Sequence, residues 1–197
     1  PIRTIGELIA LGKSKDSRNI NFGSSGSGGV SHLAGEMLNQ AIGSSFVHVA
    51  YKGTAPLTQA MLANEVQVAF MAATEGGPHV PAGKLRLLAS TTAAQSPQLP
   101  QVPVLSEAGV PGVEIPVWYG LLAPGGTPRP VVNELSQKLK AILDEPDIQR
   151  QLQGLNYVVK GSSPEEFATL IKADLARYGK AVQAAGLEAE WSAGPRP

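Results

Sequence analysis

The stretch Asn19-Ile20-Asn21-Phe22-Gly23-Ser24-Ser25-Gly26-Ser27-Gly28-Gly29-Val30-Ser31-His32-Leu33 is the part of the chain best suited to chemistry. It reads as a strand running into a Gly/Ser loop that opens a helix. Such a junction aims free backbone N–H groups and the positive end of a helix dipole at one spot, and Gly26, Gly28 and Gly29 let an anion come close to the backbone. The hydroxyls of Ser24, Ser25 and Ser27 add donors. The same composition also describes a flexible turn capped by serine. Gly26 and Gly28 begin the dinucleotide pattern G-x-G-x-x-G, but position 31 is serine, and no Gly-Lys-Ser or Gly-Lys-Thr follows to make a triphosphate loop. No serine has glycine both two before and two after it, so a nucleophile elbow is missing.

A second junction of this type is Val47-His48-Val49-Ala50-Tyr51-Lys52-Gly53-Thr54-Ala55-Pro56-Leu57, with Thr54 as a possible cap and Pro56 in the first helical turn. If the two strands are parallel neighbours, both helix N-termini converge at the carboxyl edge of the sheet, where ligands sit in open α/β folds. Lys52 also fits a solvated surface lysine, and Tyr51 a half-buried rim aromatic. A third loop, Met71 to His79, should reach the same edge. Its Thr74 either donates to a ligand or caps the next turn, and Glu75 repels a carboxylate unless it pairs with Lys52 or a ligand amine. His32, His48 and His79 lack metal-ligand spacing and fall on three different elements, which favours core or surface roles. No catalytic constellation and no metal site are read.

The elements that must position these loops follow from pattern. Strands are expected at Asn19–Gly23, Ser45–Tyr51, Val66–Ala72 and Leu85–Thr91, with amphipathic helices through Leu33, Met37, Ala41 and Ile42 and through Leu57, Ala60 and Met61. This alternation predicts a mainly parallel α/β sheet covered by helices. From Gln95 to Pro116 the prolines Pro97, Pro100, Pro103, Pro111 and Pro116 leave little room for helix or central strand, which marks a connection between two parts. Beyond it, Val117–Ala123 reads as a strand and Val132, Leu135, Leu139, Ile142 and Leu143 as a helix broken by Pro146. A short helix around Ile148 to Gln153 closes at Gly154 as a left-handed cap, and Tyr157–Val159 is a brief strand. Ser163, Pro164 and Glu166 form a capping box for a last helix through Phe167, Leu170, Ile171, Leu175, Tyr178 and Val182, ending before Gly186. With so little sheet after Pro116, this tail either packs on the first half or expects a partner.

Composition excludes several classes. At 197 residues and 43% hydrophobic, the chain supports one sizeable core or two small lobes. Sixteen Lys plus Arg balance sixteen Asp plus Glu, so the electrostatic footprint of nucleic-acid binding is missing. Twenty-two Gly and sixteen Pro argue against a helical bundle. With no cysteine there is no disulfide framework or thiolate nucleophile. No apolar run approaches the roughly 18 residues of a membrane span. Pro1-Ile2-Arg3-Thr4 lacks the look of a signal peptide, which predicts a soluble chain, mature or truncated.

Several motifs resemble those of the periplasmic solute receptors of tripartite tricarboxylate transporters, the Bug or TctC family. They are Thr4-Ile5-Gly6-Glu7-Leu8-Ile9-Ala10; Asn21-Phe22-Gly23-Ser24-Ser25-Gly26-Ser27-Gly28 with His32-Leu33-Ala34-Gly35-Glu36; Val47 to Pro56; Pro78-His79 with Ala82-Gly83-Lys84-Leu85-Arg86; Pro103 to Gly112; Trp118 to Pro128; and Ser163-Pro164-Glu165-Glu166-Phe167. The resemblance spans nearly the whole chain in order. It implies a type II, flytrap-like periplasmic-binding-protein fold, in which two α/β lobes close over a small carboxylate. Residues 1–116 would be the second lobe with the ligand loops, and residues 117–197 a crossover strand and C-terminal helices of the first lobe, whose N-terminal part has no counterpart here. It further implies a non-enzymatic, periplasmic receptor without cofactor that delivers a di- or tricarboxylate to membrane subunits of the transporter. The ligand residues would be Ser24, Ser25, Gly26, Ser27, Gly28, Gly29, Tyr51, Lys52, Gly53, Thr54 and Thr74. Members usually show Phe-Asp-Asn where this chain has Phe70-Met71-Ala72, and Pro-Ser where it has Thr74-Glu75, so the ligand pose or preference differs. Two alternatives stand beside this reading: a remnant that self-associates through exposed C-terminal helices, and a serine hydrolase using a loop serine with His32 or His48.

Overall fold

A computed structural model describes residues 2–96 and 99–184 of the chain; Pro1, Pro97 and the helix end expected before Gly186 lie outside them. Three short parallel strands, β1 (Asn21–Ser24), β2 (Val47–Ala50) and β3 (Val68–Ala69), form a sheet in the order β2-β1-β3. Each is shorter than the strand expected there, because pairing stops where the chain turns into a loop. Phe22 lies opposite His48 and Val68, and Gly23 opposite Val49 and Ala69.

Alternation of side chains splits the core in two. On one face Phe22 packs with Ala34, Leu38 and Ile42 of α2 (Val30–Ile42) and with Ile5 and Leu8 of α1 (Ile5–Gly12). On the other, Leu57 and Ala60 of α3 (Thr54–Leu62) pack with Val66, Val49 and Ala69. The strand order places β2 and β3 on opposite sides of β1, so right-handed crossovers put α2 and α3 on opposite faces. Two glycines permit the close approach. A Cβ on Gly35 of α2 would stand 2.1 Å from the Phe22 ring, and one on Gly23 2.4 Å from Leu57 Cδ1. The helix α1 was not foreseen, although its signal is in the sequence. Thr4 Oγ1 accepts from Glu7 N at 3.2 Å and Glu7 Oε2 accepts from Thr4 N at 3.2 Å, a capping box before Ile5 and Leu8.

After β3 come a single turn, α4 (Ala73–Gly76), and a 3-10 turn, Gly77–His79. The expected strand at Leu85–Thr91 reduces to an isolated parallel bridge between Ser90 and Val104. Pro100 and Pro103 flank its partner segment, and neither can donate to a ladder. The strands expected at Val117–Ala123 and Tyr157–Val159 are irregular instead. An apolar run becomes a strand only where another strand completes its hydrogen bonds, and none does so here among the described residues; Leu121 and Leu122 stay about three-quarters exposed, at 75% and 76%.

The tail folds as α5 (Arg129–Leu143), α6 (Pro146–Gly154) and α7 (Pro164–Ala184). Gly154 is not the left-handed cap of α6. The C-cap is Leu155 at φ −93°, and Asn156 takes the left-handed position at φ 66°, a role asparagine tolerates. The Ser163 box forms as expected: Ser163 N donates to Glu166 Oε2 at 2.8 Å and Glu166 N to Ser163 Oγ at 3.2 Å. Of the three, α7 is anchored through several side chains. Trp118 Nε1 donates to buried Asp174 at 2.7 Å, the Trp118 and Phe167 rings meet edge-on at 4.9 Å, and Tyr178 OH donates to the carbonyl of Pro116 at 3.1 Å. By contrast α5 and α6 bury no residue and expose Val131, Leu135 and Ile142.

Candidate functional site

Because the three strands are parallel, their carboxyl ends share one edge. Hydrogen bonds lace the loops that leave them. Tyr51 N donates to Ser24 O at 2.9 Å and Gly53 N to Ser25 O at 3.0 Å, joining the first loop to the second. Thr54 Oγ1 donates to Glu75 Oε1 at 3.0 Å, joining the second to the third. The three loops that carry the sequence-predicted residues are therefore joined at one sheet edge.

Their donors are distributed differently from the expectation. Four amides of the Gly/Ser loop are spent internally: Ser25 N on Ser31 Oγ (3.1 Å), Gly26 N on Ser24 Oγ (3.3 Å), Gly28 N on His32 Nδ1 (3.0 Å) and Gly29 N on Gly26 O (3.3 Å). Ser24 is fully buried and its hydroxyl turns inward, which corrects the expectation that this hydroxyl serves the mouth. The open donors lie one step along the chain. The N-caps of α2 and α3 are Gly29 and Gly53, neither with a side-chain cap; Thr54, expected as a possible cap, is instead the first helical residue. The first-turn N–H groups of Val30 and Ser31, and of Thr54 and Ala55, make no hydrogen bond within the described residues. Two uncapped helix N-termini thus stand at one edge, beside the exposed Ser27, Gly28 and Lys52.

Beneath the loop lies a histidine pair that the separation of His32 and His48 in sequence concealed. Their rings stack at 3.6 Å with 8° between planes, and His48 also stacks on Phe22 at 4.9 Å. His32 Nδ1 accepts from Gly28, so the neutral ring carries its proton on Nε2, facing Glu36 Oε1 at 3.6 Å. His48 Nε2 lies 2.7 Å from Ser24 Oγ. Burial, followed by the neighbouring His32, lowers the pKa of His48 to about 4. Ser24 and His48 make a serine–histidine contact of the kind the hydrolase alternative needs, yet the Ser24 hydroxyl also donates to Gly26 O and Ser24 has no exposed surface for a substrate to reach.

The third loop adds a carboxylate. Glu75 Oε2 accepts from Ala72 N at 3.2 Å while Oε1 holds Thr54, and no basic side chain pairs with it among the described residues. Thr74 sits within α4, half-buried, with Ala72 as the N-cap. Tyr51 faces away from the mouth: its hydroxyl donates to Glu65 Oε2 at 3.4 Å, and burial together with the Glu65 charge raises its pKa. Tyr119 stands edge-on to Tyr157 at 5.5 Å, and its phenol is pushed up by burial, by Tyr157 and by the negative field of Glu75, which brings the segment after Pro116 to the third loop. A groove of about 650 Å³ between α2 and α7, lined by Met37, Ala41, Arg177 and Lys180, lies away from this mouth.

A parallel α/β lobe with its loops gathered at one sheet edge defines an open-sheet ligand-binding architecture, and comparison with known proteins gives the chain its family. A family model described as Tripartite tricarboxylate transporter family receptor (TctC) matches residues 1–187, and the chain belongs to this family. A Pseudomonas sp. (strain P51) relative, the UPF0065 protein in the tcbD-tcbE intergenic region, is 32% identical over 181 residues, covering 91% of this chain and 54% of its own. Among solved structures, R. palustris Rpa4515 with adipate superposes at TM-score 0.82 and 31% identity, over 94% of this chain and 62% of that one. The periplasmic binding protein BugD superposes at 0.77 and 33% identity, over 95% of this chain and 63% of its own. The chain spans about half the length of the curated relatives it matches.

Proposed function

We propose that this chain is the ligand-loop portion of a non-enzymatic periplasmic receptor. It takes a small organic carboxylate at the mouth formed by Ser25–Gly29, Lys52–Thr54 and Thr74, for delivery to the membrane subunits of a tripartite tricarboxylate transporter. The observation that carries this reading is the pair of uncapped helix N-termini at one sheet edge. Family membership and the adipate carried by a structural neighbour support it. In this reading residues 1–116 form one lobe and residues 117–197 return to the other lobe of a flytrap.

Magnitudes set the strength. Three or four hydrogen bonds to an anion at roughly 1.5–3 kcal/mol each give a gross ~5–12 kcal/mol. Association costs about 4–15 kcal/mol. At mid-range the two nearly cancel, so without an opposing lobe the chain should bind with affinity of about millimolar or weaker. An NMR titration with adipate tests this: the amide signals of Val30, Ser31, Thr54 and Ala55 should move together at millimolar ligand. Shifts confined to other regions, or none at tens of millimolar, would refute the site. A second reading, self-association, is favoured by one observation, the exposed apolar residues Leu121, Leu122, Leu135 and Leu175. Sedimentation decides it, since a monomer across a wide concentration range removes it.

A further inference from the structure

Glu75 is an oddity in a mouth built for anions. Its carboxylate joins the second and third loops, accepting from the Thr54 hydroxyl and the Ala72 amide, two neutral donors. Lys52, on the neighbouring loop, does not pair with it, and neither does any other cation among the described residues. The residue is half-buried, so water screens it less than a surface carboxylate. Two hydrogen bonds leave acceptor capacity on both oxygens. Its partner Thr54 is the first residue of α3, so the helix end on that side already has a negative charge beside it. The α2 first turn has no acidic residue and no side-chain cap, and the exposed Ser27 and Gly28 precede it. The mouth is therefore asymmetric, anion-seeking at α2 and cation-seeking at the third loop.

We propose, resting on the receptor reading above, that Glu75 determines specificity, and that the ligand is a small carboxylate carrying a protonated amine at its far end. The carboxylate lies at the α2 N-terminus and the ammonium at Glu75. A second carboxylate in place of the ammonium meets like charge. At 4 Å a unit-charge pair interacts strongly enough, even in a largely wetted site, to change affinity by about tenfold or more.

The test is an NMR titration of the chain with two probes of nearly equal length, glutarate and δ-aminovalerate, repeated on Glu75→Gln. The wild type should bind δ-aminovalerate about tenfold or more tightly than glutarate, and the substitution should abolish or reverse that order. If glutarate binds as tightly as δ-aminovalerate, or the preference survives in Glu75→Gln, the inference is overturned while the receptor reading stands. If neither probe nor adipate moves the Val30, Ser31, Thr54 and Ala55 signals, the receptor reading fails and this inference with it. Should Glu75→Gln not fold, the wild-type ratio alone decides, and Glu75→Asp, which keeps the charge, should keep the preference.

Discussion

The stacked histidines yield the most constrained prediction. His48 has a folded pKa of about 4 against the ordinary 6.5, because burial penalises its charged form and His32 lies 3.6 Å away. The folded pKa lies below the unfolded one, so between pH 6.5 and 4 the unfolded chain binds more protons. Stability from His48 is therefore complete above pH 6.5, drains away as the pH falls to about 4, and changes no further below it. A shift of this size has a ceiling of roughly 3.4 kcal/mol. The half-buried ring is reached by water, and screening reduces the expected effect to about 1–2 kcal/mol. Glu7, Glu165 and Glu166, held below the usual carboxylate range chiefly by backbone N–H donors, also lose stability in acid. A control must cancel them. His48→Gln can set its amide nitrogen near the place of Nε2, beside Ser24 Oγ, and removes the titration. Urea unfolding at pH 7 and pH 4 should show the wild type losing about 1–2 kcal/mol more than this variant. In the same pH range the imidazole of His48 should titrate near 4 by NMR, and the Gly26 amide should follow its midpoint, since Ser24 Oγ links the two. An imidazole midpoint near 6.5, or parallel acid profiles for the two proteins, refutes the reasoning.

Three further outcomes are expected. Gly35→Ala forces a methyl into the Phe22 ring and should destabilise by about 3 kcal/mol or more, visible as a lower urea midpoint, whereas the open position Gly125 should accept alanine with little change. Trp118→Phe strips buried Asp174 of its indole donor and should cost about 1–3 kcal/mol in the same assay; an unchanged midpoint would mean the tail is not held through this contact. Fluorophosphonate should label none of Ser24, Ser25 or Ser27, and Ser24→Ala should lower stability without altering labelling; covalent modification of Ser24 would revive the hydrolase reading despite its burial.

The sequence disclosed the two strand-loop-helix junctions because each concentrates a β-rich run, glycine and an amphipathic helix within about a dozen residues, and such local signals survive tertiary context. The Ser163 box and the break at Pro146 were legible for the same reason. What failed was non-local. Val117 to Ala123 has the composition of a buried strand, but strand formation needs a neighbour, and the described residues supply none there. The contact between His32 and His48 depends on α2 lying over the β1–β2 pair, which no spacing rule encodes.

That buried contact also changes how the mouth works. A glycine-serine loop suggests recognition by its own amides, yet in the folded chain those amides are consumed by Ser24, Ser31 and His32. The loop is thereby fixed, since each bond ties a conformationally free glycine segment to a side chain on β1 or α2. Rigidity of this kind reduces the ordering that a ligand must impose. Recognition then falls to groups needing no rearrangement: the first-turn amides of two helices that glycine leaves uncapped. A serine or aspartate at position 29, where the backbone is extended at φ −74°, would satisfy the α2 amides from within, whereas Gly53 at φ 108° admits no side chain without strain. Helix α2 should gain stability and its side of the mouth should lose its donors. If Gly29→Ser raised stability while leaving carboxylate-induced shifts at Val30 and Ser31 intact, the uncapped helix end could not be what holds the anion.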